Sequence, residues 1–245
     1  DETEKRSSEP EKEKEKGKED KWYYVQDGEF KYFTGVSKSN VSNNLFAVRN
    51  GVLDWRFTGI LKNHETGKWT FCRKGQHDSH FTGVAKSVAN GKWYFVRNGI
   101  LDWNFTGFSK SVANGKYYFS RRGKLDWSFT GVAKSISNNK WYYAKNGQLD
   151  WNFTGLSKSV ADGKWYFSRK GKLDWNFTGV AKSIADRKWY AVRNGKLDWH
   201  SIGGMKSVSN GRWYATRNGS LKWNFTGYLR CIDGKVRYYR RGSAI

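Results

Sequence analysis

A chain of 245 residues with a formal net charge of +23, 18% aromatic residues and a mean hydropathy of −0.86 is rich in rings and poor in aliphatic side chains. The sequence contains no run of 18 or more apolar residues, which excludes a membrane-spanning helix. Its 27 glycines against a single proline point to turns and strands.

Residues 1–20, DETEKRSSEPEKEKEKGKED, hold nine acids and six bases with no aromatic or large aliphatic side chain. Such a stretch cannot bury enough apolar surface to offset chain entropy, so a disordered charged linker is expected. Residues 21–245 hold 39 bases and 13 acids, a net charge of +26, and form the expected folded domain. A field of that size attracts anionic polymers and repels cationic ligands at long range.

From residue 35 onward the chain repeats. The Gly that closes an FTG-like triplet recurs at Gly35, Gly59, Gly83, Gly107, Gly131, Gly155, Gly179, Gly203 and Gly227, always 24 residues apart. Nine copies at constant spacing indicate a solenoid in which each unit packs on its neighbours. One unit, Val84 to Gly107, reads VAKSVANGKWYFVRNGILDWNFTG and carries two turn signals, Asn90-Gly91 and Asn98-Gly99, around alternating aromatic residues. The predicted fold is therefore all-β, an elongated β-solenoid of stacked hairpins over residues 21–245, with almost no helix. A two-residue loop at Asn90-Gly91 would set Val88 opposite Trp93 and Lys86 opposite Phe95, with Tyr94, Val96, Ala85 and Ser87 on the other face. The end copies drift. Lys21 to Gly35 is one residue short, and KVRYYRRG at 235–242 puts Val236 where Trp belongs, as expected of solenoid caps.

Aligning the copies gives columns. One Trp column runs through Trp69, Trp93, Trp141, Trp165, Trp189 and Trp213, with Leu45 and Tyr117 as variants. A second runs through Trp55, Trp103, Trp127, Trp151, Trp175, Trp199 and Trp223. Two basic columns accompany them, one with Lys86, Lys110, Lys134 and Lys158, the other with Arg97, Arg121 and Arg169. Two readings stand for these residues. Trp can be the core of a thin fold with Lys and Arg as solvated edge residues. Alternatively, flat rings beside cations make shallow platforms that stack on sugars or bases and hold phosphate, sulfate or carboxylate. A third column, at the position of Val96, is always small (Val48, Cys72, Ser120, Ala144, Ser168, Val192, Thr216) and is expected where neighbouring hairpins approach closely.

Asp54, Asp78, Asp102, Asp126, Asp150, Asp174 and Asp198 supply one acid per copy, broken by Lys222. Paired carboxylates of the glycosidase kind need two acids on one site, so this column reads as an ion pair or turn bond and the chain as no enzyme. His77-Asp78-Ser79-His80 is a degenerate copy of LDWN whose histidines point to opposite faces of a strand, so neither a metal nor a cofactor is expected. Cys72 and Cys231 are too far apart in an array to pair. The NFT sequons at Asn104, Asn152, Asn176 and Asn224 follow from the repeat itself.

The frame TG-V-x-K-x-x-x-NGKWYF-x-x-NG-x-L resembles the cell-wall-binding repeats of Gram-positive surface proteins, the choline-binding and glucan-binding type, whose units carry TGW, a WYY strand and a following G-x-M. The resemblance covers essentially all of residues 21–245. It implies a non-catalytic solenoid of stacked hairpins, secreted or on the cell surface, with aromatic cages between consecutive units. The family's WYY Trp falls on Trp69, Trp93, Tyr117, Trp141, Trp165, Trp189 and Trp213, and its Met on Leu101, Leu125, Leu149 and Leu173. Its TGW Trp is absent, its place taken by residues such as Val84, Val132 and Val180, and the LDWNF Trp is expected to supply that ring from another direction. The expected partners are cell-wall polysaccharide, teichoic acid or a host glycan, bound multivalently through the Trp platforms and basic columns. An adhesive stalk without a specific ligand and a binder of single-stranded nucleic acid are the alternatives.

Overall fold

The computed structural model describes residues 21–245, and the linker expected at 1–20 lies outside the described residues. Among the described residues every regular element is a strand, 29 in all. The chain divides into two compact units, one ending at Leu125 and one spanning Asp126–Ile245.

In the first unit the copy at 83–107 sets the pattern, with strands Gly83–Lys86, Trp93–Arg97 and Ile100–Leu101. The second and third strands pair Arg97 with Ile100 and Val96 with Leu101, which leaves Asn98-Gly99 as a two-residue turn. Both turn residues have positive φ, 49° and 74°, the type I′ geometry that matches strand twist and that Asn-Gly accepts at low cost. The turn is tied down by the FTG threonine sixteen residues earlier, Thr82 Oγ1 accepting from Asn98 N at 3.2 Å.

The other turn departs from the expectation. Ser87 N donates to Lys92 O and Gly91 N to Ser87 O, closing a four-residue loop over 88–91. Asn90 serves that loop through its side chain, Oδ1 accepting from Lys92 N, and of its two central dipeptide residues only Gly91 has positive φ. Trp93 therefore lies opposite Lys86 rather than Val88, and Phe95 opposite Val84. The register moves by two residues, a whole side-chain period, so the predicted division of faces survives the correction.

Hairpins stack through their backbones. Val84 makes a parallel bridge to Ser111 of the next copy, and Tyr94 of the long strand pairs with Lys124 of the next short strand. The second unit repeats both contacts, Leu156 with Ser183 and Tyr166 with Lys196. This explains the 24-residue glycine. A Cβ on Gly83 would stand 2.5 Å from the carbonyl oxygen of Lys110, and one on Gly179 2.4 Å from that of Lys206. Any side chain there would hold successive hairpins apart.

The core fills the space between backbone layers. The FTG phenylalanine stacks on the ring at the centre of the long strand, Phe105 on Phe95 at 3.6 Å in the first unit and Phe177 on Phe167 at 3.9 Å in the second. Arg97 lies over both rings of its pair and donates from Nε to Asp102 Oδ2 at 2.8 Å, while Asp102 Oδ1 accepts from Asn104 N. The aspartate column thus makes both the ion pair and the turn bond expected of it. Cys72, Val96, Ser120, Ala144, Ser168 and Val192 of the small column are fully buried. Burial pushes the Cys72 thiol up to about 12, and both cysteines are free. His77 Nδ1 lies 3.1 Å from the carbonyl oxygen of Phe71 and His80 N donates to Asp78, roles internal to the repeat.

Candidate functional site

The two Trp columns take different positions. Trp69, Trp93, Trp141, Trp165, Trp189 and Trp213 begin the long strands and are half-buried. Trp103, Trp127, Trp151, Trp175, Trp199 and Trp223 sit in the connector after the third strand and remain between 46% and 56% exposed. What holds these exposed rings is the tyrosine at the second position of the long strand. Trp103 meets Tyr94 edge-on at 5.5 Å, Trp175 meets Tyr166 at 5.5 Å, and Trp199 meets Tyr190 at 5.6 Å.

Stacking brings a third ring from the preceding copy. In the second unit, Trp165, Tyr190 and Trp199 line one cavity of about 230 Å³ together with Leu197, Ser183, Ala185 and the exposed Asp186. The same parts recur one copy earlier, where Trp141 packs with Tyr166 and Leu173 and Tyr166 carries Trp175. One copy later Trp189 and Leu221 both pack against the cluster of Val180, Ala191 and Met205, and Tyr214 carries Trp223. In the first unit Trp69 packs with Tyr94 and Leu101, and Tyr94 carries Trp103.

Each tyrosine hydroxyl is fixed by the loop residue four positions earlier. Tyr166 and Tyr190 donate to Asp162 and Asp186 at 2.5 Å. Tyr94 and Tyr214 instead accept from the amides of Asn90 and Asn210 at 2.8 Å. The bond from Tyr166 holds the Asp162 carboxyl below the usual carboxylate range and pushes the Tyr166 hydroxyl up to about 12. Two cages therefore carry a carboxylate on the rim and two a neutral amide. They also differ in cover. Lys124 lies 5.9 Å from the Trp103 ring and Lys196 6.0 Å from Trp175, whereas Ser220 stands at the equivalent register position beside Tyr190 and Trp199.

The last copy places a cation on one of these rings. Arg237 takes the tyrosine position and lays its guanidinium over Trp213 at 4.0 Å, its two terminal nitrogens on the oxygens of Asp233 at 2.8 and 2.7 Å. Asp233 is the counterpart of Asp186, since each accepts from the backbone N–H two residues on. Here a cation sits on the Trp face with a carboxylate behind it.

Residues 81–102 and 128–150 match the family model of the choline-binding repeat. The resemblance read from the sequence is borne out over these two stretches, and choline-binding repeats are those of non-catalytic, wall-associated binding modules at the cell surface. No curated protein matches the chain. Both matched stretches contain a WY strand and its leucine and stop at Asp102 and Asp150, one residue short of Trp103 and Trp151.

Each lysine of the first basic column is the cross-strand partner of the residue that begins the long strand, Lys86 of Trp93, Lys110 of Tyr117, Lys134 of Trp141 and Lys158 of Trp165. Lys86, Lys110, Lys134 and Lys158 are exposed at the ends of first strands, their stems lying over their own hairpin loops; a Cβ at Gly115 or Gly163 would be 3.4 or 3.6 Å from Lys110 or Lys158 Cε. Arg97 and Arg169 are engaged with Asp102 and Asp174, and Arg121 lies over Phe119 at 5.6 Å. Sequence reasoning missed the tyrosines and the Asn or Asp residues beside them. The unbroken column Tyr94, Tyr118, Tyr142, Tyr166, Tyr190 and Tyr214 was the available signal.

Proposed function

We propose that the repeats bind a choline-bearing cell-wall polymer such as teichoic acid, multivalently, with ammonium head groups in the three-ring cages and polymer phosphates along the exposed lysines. The observation that carries this reading is the cavity of Trp165, Tyr190 and Trp199 with Asp186 at its rim. A quaternary ammonium needs several ring faces and little hydrogen bonding, and each face contributes roughly 0.5 to 2 kcal/mol depending on desolvation. Arg237 on Trp213 supports the same chemistry from within the chain.

The net charge of the folded part repels a free cation at long range, which makes an isolated choline a weak ligand. A polymer carrying phosphate beside each ammonium escapes that repulsion, and repeated weak sites in register with a repeating ligand gain through effective concentration. The test is retention on purified teichoic acid with and without choline, at about 0.15 M salt so that bulk attraction is screened. The reading expects retention on the choline-bearing polymer and elution by free choline. Retention equal on both polymers and resistant to choline would instead support binding of anionic glycans through the basic columns and exposed Trp faces.

A further inference from the structure

Near the end of the second unit the repeat breaks in three neighbouring places. Ser201 and Ile202 stand where other copies have the stacking phenylalanine and the turn-capping threonine. Ala215, like Ala191 one copy earlier, stands where Phe95, Phe119 and Phe167 fill the core, and Lys222 replaces the acid of the aspartate column. Ser201 and Ala215 are smaller than the phenylalanines they replace, and the structure holds an open cavity of about 840 Å³ there, of the size that accommodates small-molecule ligands.

The third change alters the charge of that cavity. Arg49, Arg73, Arg97, Arg169 and Arg193 each give a nitrogen to the aspartate five residues on, at 2.8 to 3.0 Å. Arg217 is the next member of the column, and five residues on it meets Lys222. Both line the cavity, and neither has an ion pair among the described residues. Lys222 is half-buried. Asn218, Asn224 and Thr226 add donors on the wall, while Ala215, Phe225 and Leu229 make an apolar floor.

We propose that this cavity is an oxyanion site for a phosphate ester, with Arg217 and Lys222 gripping the phosphate and the Phe225 and Leu229 floor receiving the carbon part. Arg offers a planar fork of donors and Lys a compact charge, a pairing suited to three phosphate oxygens. The site is independent of the ammonium cages and shares no side chain with them.

The test uses the full chain and glycerol 3-phosphate, inorganic phosphate and glucuronate as probes, read by calorimetry and by the Arg217 Nε–H resonance. Lys222→Asp restores the pairing of the other copies, so the chain's own repeats argue that it folds. Arg56→Asp, at an exposed connector position of the first unit, makes the same change in net charge elsewhere. Expected are binding of glycerol 3-phosphate with a shift of the Arg217 signal, a loss of at least about tenfold in Lys222→Asp, and a change under about twofold in Arg56→Asp. Tighter binding of the ester than of inorganic phosphate supports the apolar floor. Equal losses in the two variants, no wild-type binding at about 10 mM, or a preference for glucuronate would each overturn the proposal. None of these outcomes touches choline elution from teichoic acid.

Discussion

Replacing Trp199 by Ala removes one wall of the best-defined cage and leaves Trp165 and Tyr190 in place. The ring is 53% exposed, so about half of the 150 to 250 Å² that an aromatic side chain buries in a core is at stake, roughly 100 Å². At about 25 cal/mol per Å² this corresponds to at most about 2.5 kcal/mol of stability, and nearer 2 once a compact unfolded chain is allowed for. The binding effect is worked separately. A half-open ring face contributes about 1 kcal/mol to holding a cation, so the dissociation constant of this cage should rise about fivefold. Because several cages respond at once, the assay must resolve sites. A titration with tetramethylammonium followed on the Trp165 indole N–H reports this cage alone. An unchanged Trp165 titration in folded Trp199→Ala protein would refute the idea that Trp199 completes the cage, whatever happens to stability.

The Tyr143 hydroxyl is buried without a hydrogen-bond partner at a position where Phe95 and Phe167 serve other copies, so Tyr143→Phe should raise stability by about 1 to 3 kcal/mol in urea unfolding. A loss of stability would mean that the hydroxyl is satisfied. Gly204→Val, although Val occupies the same place at Val36, Val84, Val132 and Val180, should cost at least about 1 to 3 kcal/mol, because a Cβ there would meet the Tyr239 hydroxyl at 2.0 Å and Cys231 Sγ at 2.4 Å. Adding Tyr239→Ser, the residue of the same column at Ser120 and Ser168, should recover much of that loss, and strict additivity would rule the clash out. Stability should also fall at high pH. Burial raises the Cys72 thiol from near 9 and the Tyr143 hydroxyl from near 10 to about 12, so the folded form holds these protons more tightly than the unfolded one. Their contribution is complete below about pH 9 and is lost as pH rises toward 12, which chemical denaturation at stepped pH measures. A flat profile from pH 8 to 11 in that experiment would contradict the burial of these groups.

The repeat was legible because its cause is local and hard. Gly83 and its column cannot carry a side chain where the next backbone passes, so the period is written without exceptions. Asn98-Gly99 was legible for a similar reason, since both residues need positive φ. Asn90-Gly91 was misread because the same dipeptide also ends a four-residue loop, with Gly91 supplying the positive φ and Asn90 a side-chain acceptor. The site was half legible. Both Trp columns could be read off the alignment of copies, but a cage takes one Trp from one copy and a Tyr and a second Trp from the next. That assembly depends on how hairpins stack, which side-chain pattern within one copy does not encode. The tyrosines escaped notice for a further reason: Tyr94 and Trp93 are neighbours in sequence on opposite faces, so neither marks the other's site.

The copies also serve as an internal substitution series, and the series separates packing from binding. At the centre of the long strand, a deeply buried position, the chain uses Ala47, Phe71, Phe95, Phe119, Tyr143, Phe167, Ala191 and Ala215. Cores accept such exchange when neighbours compensate, and the small column does the same with Val, Cys, Ser, Ala and Thr. The exposed column behaves in the opposite way. From residue 55 to residue 223 it is Trp in every copy except the one with Ser79. A ring that leaves about half its surface in water uses only part of its area in packing, and Leu, Tyr or Met could fill that part as readily. Tyr runs equally unbroken from Tyr94 to Tyr214, and is buried at Tyr94, Tyr118, Tyr142 and Tyr166. Uniformity in the half-exposed Trp column beside variation in the buried core is the pattern expected of the proposed binding surface. Where the pattern stops, at Val236 and Arg237, the chain lays its own cation on the remaining Trp213.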